Sequence, residues 1–356
     1  MGMSEPSWPI ILKQLLAEEN MSRKQSSWAM REIMNGEATE AQMGAFMIAL
    51  RSKGETVDEL AGLVDVMLEN AVLLETGNDA VDIVGTGGDM FGTVNISSMS
   101  SIVAAACDVP VLKHGSRSAS GKTGASEMLE VLGIRLDLSP QQVAKVFETA
   151  GITFFFAPVF HPAMRHVAPV RKQLGIPTTF NFLGPLANPV QPIATALGVS
   201  DKSGAPLMAQ ELQLRGRSGL VFRADDGMDE LSTTSENSVW EVSEGKVVNH
   251  RVSAKDLGLK STEITNLLGG DAKQNAHVAT DLFSGERFEN SEPIRDMVAL
   301  NAAAGLVAYE IAKNPDSASG KLITRLKDAL ELTTDAILSG RAQLKLEEWT
   351  KASHSA

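Results

Sequence analysis

The chain has 356 residues, of which 43% are hydrophobic and 21% charged, and carries a formal net charge of −12 at pH 7. That length suits one large domain or two unequal ones around a sizeable core. The acidic balance argues against a general nucleic-acid binder, whose affinity rests on clustered Lys and Arg, but leaves room for an anionic small molecule in a local positive pocket. A single cysteine, Cys107, excludes an intrachain disulfide and fits a reducing compartment. No apolar stretch reaches the roughly 20 residues of a membrane span, and the N-terminus lacks a signal-peptide layout. Met1-Gly2 invites a myristoylation reading, but Pro6 stands where that motif wants Ser or Thr; Met3 is the expected natural start. The expectation is a cytosolic protein with neither membrane nor nucleic acid as partner.

In chain order, the first seventy-odd residues carry apolar side chains at helical spacing: Ile10, Ile11, Leu12, Leu15 and Leu16; Trp28, Ile33 and Met34; Met43, Phe46, Met47 and Leu50; then an amphipathic segment over 57–74. This predicts a small helical bundle with its exit hinge at 75–79. From Ala80 onward strand patterns alternate with helical ones: strands at 80–84, 109–112, 153–157, 194–199 and 218–222, with helices near 95–107 and 124–132. Such alternation predicts an α/β fold with a mostly parallel central sheet, whose ligands bind at the carboxyl ends of the strands. Residues 160–189 hold five prolines and read as an irregular segment crossing back to the bundle. The expected division is a small helical domain over 1–76 with a return near 164–190, and a large α/β domain over 77–163 and 191–356.

Three segments carry chemistry. The run Val81-Asp82-Ile83-Val84 empties into Gly85-Thr86-Gly87-Gly88-Asp89, and Thr93-Val94-Asn95-Ile96-Ser97-Ser98 opens a helix. Glycines admit positive φ and close approach of main-chain N–H groups to an anion, and a helix amino end adds unpaired N–H groups and a positive dipole. Taken alone such a glycine run is more often just a turn, and Asn95, Ser97 and Ser98 either cap the helix or point at a ligand. Lys113-His114-Gly115-Ser116-Arg117 puts basic residues at the end of the next apolar run. The acidic cluster Asp225-Asp226-Gly227-Met228-Asp229-Glu230 follows a strand and is either a Mg²⁺ site or a solvated turn. Two motifs fail: five residues separate Gly115 from Gly121-Lys122-Thr123 where a P-loop needs four, and Met90 stands where a dinucleotide fingerprint needs its third glycine.

Gly85-Thr86-Gly87-Gly88-Asp89, Asn95-Ile96-Ser97-Ser98, Lys113-His114-Gly115, His161-Pro162-Ala163-Met164, Val170-Arg171, the run from Asn181-Phe182-Leu183-Gly184-Pro185 to Leu186-Ala187-Asn188-Pro189, and Asp229-Glu230 follow one another in an order that resembles the anthranilate phosphoribosyltransferase family, over essentially the whole chain as far as Asn301-Ala302-Ala303-Ala304. The resemblance implies transfer of the phosphoribosyl group of phosphoribosyl pyrophosphate to the amine of anthranilate, with release of pyrophosphate, in tryptophan biosynthesis. It also implies a cleft between the two domains, a homodimer and no protein nucleophile. By position, it places Gly85, Gly88, Asp89, Thr93, Asn95, Ser98 and Lys113 on phosphoribosyl pyrophosphate. Ser97, Asp229 and Glu230 fall to its Mg²⁺, and Gly85, His114, Ser116, Arg171 and Pro185 to anthranilate. Two positions depart from the family pattern: Ser116 stands for its usual Asn and Glu127 for its common Asp. Rival readings are a pyrimidine nucleoside phosphorylase-like enzyme and a non-catalytic nucleic-acid-binding relative of the same fold.

Overall fold

A computed structural model describes residues 5–74, 76–117 and 123–356. Met1-Gly2, Met3, Glu75 of the expected hinge and Gly121-Lys122 of the failed P-loop lie outside the described residues. The chain opens with helix α1 (Trp8–Leu16), followed by α2 (Arg23–Met34), α3 (Glu40–Lys53) and α4 (Val57–Glu69). Ser22, Thr39 and Thr56 begin the last three: each accepts from the N–H of the third helical residue, Gln25, Gln42 or Glu59, whose side chain reaches back to the cap. The fourth helix ends at Glu69, short of the expected Leu74. Gly62 lets α4 lie directly on α2, since a Cβ there would overlap the Arg23 carbonyl oxygen and the Ser26 hydroxyl.

Beyond the bundle come β1 (Val81–Gly85), α5 (Ile96–Ala106), β2 (Val111–Gly115), α6 (Ala125–Val131), α7 (Pro140–Ala150), β3 (Ile152–Phe156) and the single turn α8 (Ala157–Phe160). A 3₁₀ turn at Pro162–His166 and helices α9 (Ala168–Leu174) and α10 (Phe180–Leu186) make up the proline-rich segment. Then follow β4 (Ala194–Gly198), α11 (Gly204–Leu214), β5 (Ser218–Ala224), β6 (Asn237–Ser243), β7 (Lys246–Val252), α12 (Ala272–Ser284), α13 (Ser291–Lys313), α14 (Leu322–Leu338) and α15 (Arg341–Ser355).

The seven strands form one sheet in the order β3-β2-β1-β4-β5-β6-β7, parallel from β3 to β5 and antiparallel through β6 and β7. Side chains alternate between its faces. Ile83, Ala196 and Phe222 join the core beneath α5 and α13, whereas Val84, Leu197 and Val221 join the core of the bundle. That second core also takes in Val167, Val170, Phe180, Leu183 and Leu186 of the proline-rich segment, which forms two short helices rather than irregular chain.

Two expectations are corrected here. Strand β2 starts at Val111 and runs through Lys113 and His114, because Pro110 lacks the N–H a ladder needs and the two basic residues find buried partners; both are under 3% exposed. The β6–β7 hairpin goes unread in the sequence. Its turn, Glu244-Gly245, has positive φ at both residues, the mirror-image type that suits a twisted hairpin, but carries no Asn-Gly or Asp-Gly signal. Among the described residues no helix is long and apolar enough to cross a membrane.

In an unobstructed helix Gly→Ala gains about 1 kcal/mol. At Gly62 the overlap with α2 reverses the sign: Gly62→Ala is expected to destabilise the fold by about 1–3 kcal/mol, read as a lower midpoint in chemical denaturation.

Candidate active site

The strand order reverses its direction of growth between β1 and β4, and in open α/β sheets the crevice beyond the carboxyl ends at such a point is where ligands bind. A cavity of about 1050 Å³ opens there. The last register pair of the two strands is Gly85↔Gly198. A Cβ on Gly198 would overlap the carbonyl oxygen of Asp229, and one on Gly85 would overlap the Asp229 carboxylate. The glycines therefore let Asp229 lie across both strand ends, where its Oδ2 accepts the Gly87 N–H at 2.6 Å. Ser200 donates to the Gly87 carbonyl at 2.7 Å and fixes the other side of the loop. Gly87, Gly88 and Gly92 all take positive φ, as does Met90.

Helix α5 points its amino end into the same cavity. Asn95 holds the N-cap position yet makes no capping bond. Its side chain instead donates to the Thr123 carbonyl (3.4 Å) and accepts from Asn275 Nδ2 (2.8 Å). The first-turn N–H groups thus face the cavity without a side-chain cap, the arrangement that favours an anion.

Three carboxylates, from Asp89, Asp229 and Glu230, each bring an oxygen within 4.8 Å of the others. Burial raises all three above the ordinary carboxylate range, and repulsion from neighbouring carboxylates adds to it at Asp229, pushed up to about 7, and at Glu230, also well raised. Glu230 Oε2 is buried and finds no partner among the described residues. An oxygen-only set with an unpartnered carboxylate oxygen fits a hard divalent cation such as Mg²⁺. Lys113 is the cationic counterpart. It is 1% exposed, donates to the Ile83 carbonyl (2.6 Å) and lies 3.4 Å from Ser97 Oγ. Burial pulls its pKa down to about 8, against the charges of Asp82 and Glu230, which leaves it mainly protonated at pH 7.

The opposite wall is neutral and basic. His114 donates from Nδ1 to the Gly184 carbonyl (2.9 Å), which leaves Nε2, buried and unpartnered, as an acceptor. His161 stacks edge-on at 5.1 Å between ring centroids and donates from Nε2 to the Ala187 carbonyl (2.9 Å). Arg171 donates to Asn181 Oδ1 at 3.3 Å. Burial lowers its pKa, and no carboxylate among the described residues holds it up. An unpaired, half-buried guanidinium is suited to bidentate recognition of a carboxylate.

The cavity gathers Gly85, Gly88, Asp89, Thr93, Asn95, Ser97, Lys113, Asp229 and Glu230, and on its other side His114, Ser116, Arg171 and Pro185. Ser98 does not join them. It is 1% exposed, one step further round α5, and its hydroxyl finds no partner among the described residues. The acidic cluster also divides. Asp225 is held by Arg251 Nη1 at 2.9 Å, and Asp226 accepts the Met228 N–H and the Thr234 hydroxyl, so only Asp229 and Glu230 reach the cavity. Sequence reasoning missed Asn275 and the Gly269-Gly270 pair beside it, which form the wall behind α5; a double glycine just before the cap residue Asp271 was the available signal.

Residues 77–343 match the model of the glycosyl transferase family, a/b domain, and residues 9–71 that of the glycosyl transferase family, helical bundle domain. Anthranilate phosphoribosyltransferase of Leifsonia xyli subsp. xyli is 52% identical over 98% of this chain and 99% of its own length. Among solved structures, anthranilate phosphoribosyltransferase from Thermus thermophilus is similar with a TM-score of 0.86 at 37% identity, covering 97% of this chain and 99% of that one. The protein of that name from Saccharomyces cerevisiae, in complex with PRPP and Mg, is similar with a TM-score of 0.85 at 26% identity, over 100% of both chains.

Burial holds His161 neutral down to about pH 4, against an ordinary value of 6.5. Between those values the unfolded chain binds a proton that the folded chain does not, so this group's contribution to stability is present above pH 6.5 and is lost as pH falls. Wild-type protein is therefore expected to lose more stability than His161→Gln between pH 6.5 and 4.5, by about 1.4 kcal/mol per pH unit. Denaturant midpoints of both proteins at the two pH values check this; equal acid losses would show that His161 is not held neutral.

Proposed function

The chain belongs to the glycosyl transferase family of anthranilate phosphoribosyltransferases, and we propose that its cavity joins anthranilate to phosphoribosyl pyrophosphate, forming N-(5-phosphoribosyl)anthranilate and pyrophosphate. One observation carries this reading. A buried lysine and an open helix end, three crowded carboxylates and a guanidinium without a counter-ion all face one space. That set suits a ligand with several phosphate charges, a divalent cation and a second ligand bearing a carboxylate.

In the reaction the bond from ribose C1 to the pyrophosphate oxygen breaks, the anthranilate nitrogen bonds to C1, and the nitrogen gives up one proton. The amine is itself the nucleophile, so none is needed from the protein, and because an arylamine is already neutral at pH 7 no base is needed to begin the attack. Asp89, Asp229 and Glu230, with Ser97 beside them, would hold Mg²⁺, which neutralises charge on the leaving pyrophosphate. Lys113 and the N–H groups of the glycine loop and α5 stabilise the same charge without reorganising as it develops. Arg171 binds the anthranilate carboxylate, and His114, Pro185 and Ser116 flank its ring, which brings amine and C1 together in one orientation. The bundle, with the return segment near 164–190, is the small domain of this proposal, closing on the larger one to exclude water. A cytoplasmic homodimer belongs to the same reading, supported by the exposed apolar Ile10, Leu16 and Ile48 of the bundle. Neither rival reading gains support: the relatives described above share one name, and an acidic chain with its carboxylates in place does not suit nucleic acid.

Loss of anthranilate fluorescence that requires protein, phosphoribosyl pyrophosphate and Mg²⁺ together is the expected result; no loss with folded protein would overturn the assignment. Asp229→Asn is expected to lower kcat by about 100-fold or more. Ser116→Asn, which adds an amide within longer reach, is expected to lower the KM for anthranilate by about fivefold with kcat nearly unchanged, the worth of one net hydrogen bond.

A further inference from the structure

Strands β1 and β2 are in register at Val81↔Val111 alone, although β1 keeps five register pairs with β4 and β2 keeps five with β3. A continued parallel ladder would next join Ile83 to Lys113 through main-chain bonds. Side chains hold those places instead. Lys113 Nζ donates to the Ile83 carbonyl (2.6 Å), Asn188 Nδ2 donates to the Leu112 carbonyl (2.7 Å), and the His114 N–H is donated to Asp82 Oδ1 (3.2 Å). Asn188 Nδ2 also donates to Asp82 Oδ2 at 2.9 Å, closing the set. Asp82 and Asn188 are both 0% exposed.

A carboxylate in the middle of a strand buried on both faces is costly, and the other residues of β1 are apolar or glycine. No Lys or Arg nitrogen among the described residues comes within salt-bridge distance of Asp82. Lys113 faces it across β2, and Arg217 approaches from the β5 side with its Nη2 on Thr195 Oγ1. Main-chain pairing would satisfy Leu112 and His114 without any buried charge. What it would not do is leave β1 and β2 bridged by side chains at the end where Lys113 and His114 meet the cavity.

We infer that Asp82 is a positioning residue for the transfer reaction: together with Asn188 it replaces the last ladder step between β1 and β2, and so sets where Lys113 and His114 stand on the cavity floor. The inference rests on the proposed phosphoribosyl transfer. Asp82 touches neither ligand and acts through the strand that carries both residues.

The test compares full-length wild type with Asp82→Asn and Asn188→Ser, measuring kcat, both KM values and the melting temperature. Asp82→Asn keeps the shape and removes the buried charge, so its melting temperature is expected to match or exceed that of wild type. Its kcat is expected to fall by about 10- to 100-fold, the scale of a sub-ångström to ångström misplacement. The KM for anthranilate should change by a smaller factor than kcat, because His114 beside its ring moves with β2 while Arg171, which holds its carboxylate, stands on a different element. Asn188→Ser removes the other half of the bridge without altering charge and is expected to repeat the kcat loss. Wild-type turnover with both variants within about threefold of it in kcat would overturn the inference, and so would kcat losses that merely track a falling melting temperature. A wild-type chain without turnover would instead overturn the proposed function, and this role with it.

Discussion

Asp229 rests on the carboxyl ends of β1 and β4, its carboxylate against Gly85 and its main chain against Gly198, so closely that neither glycine has room for a side chain. This contact sits where the sheet changes its direction of growth. It anchors the glycine loop through Gly87, brings Asp229 and Glu230 up to Asp89, and fixes the distance between the acidic cluster and the amino end of α5. The two halves of the sheet thus meet at a point where backbone packs against backbone, and the chemistry is distributed around it.

An acidic protein that handles a polyphosphate faces an apparent contradiction, which local burial resolves. The carboxylates are crowded and desolvated, so their charge is suppressed until a cation arrives. Lys113 and Arg171 are also desolvated, and their positive charge acts in a medium where it is screened far less than at the surface. Net charge describes solubility and long-range attraction; the cavity works through a few groups that are buried or partly buried within it.

Much of this was legible in the sequence, for reasons that particular residues make clear. The apolar run before Gly85 is a strand buried on both faces, and such strands read as uninterrupted β-branched stretches. The apolar side chains of the bundle recur at helical spacing, a local signal that announces itself. The boundaries of β2 were not legible, because Lys113 and His114 look like residues of a strand's exit until the partners that bury them are known. The fate of Asp225 and Asp226 depended on Arg251, twenty-odd residues away on β7, and that of Ser98 on a single step of helical rotation. Asp82 did carry a signal, a lone acid among Val, Ile and Val, but its meaning required Asn188, more than a hundred residues further on.

The bundle's core has a history in time as well as a place in space. It draws on Ile11, Met30, Phe46 and Leu63, but also on Val167, Phe180 and Leu186, and beyond these on Leu197, Leu212 and Val221 of the sheet and α11. The first four helices leave the ribosome with their apolar faces uncovered, and the segment that covers them is made only after β1, β2 and β3 have followed. Loop-closure entropy must be overcome before those distant contacts stabilise anything. Well over half the chain is thus translated before its opening residues have their full complement of neighbours, an interval in which those apolar faces offer chaperones a binding surface.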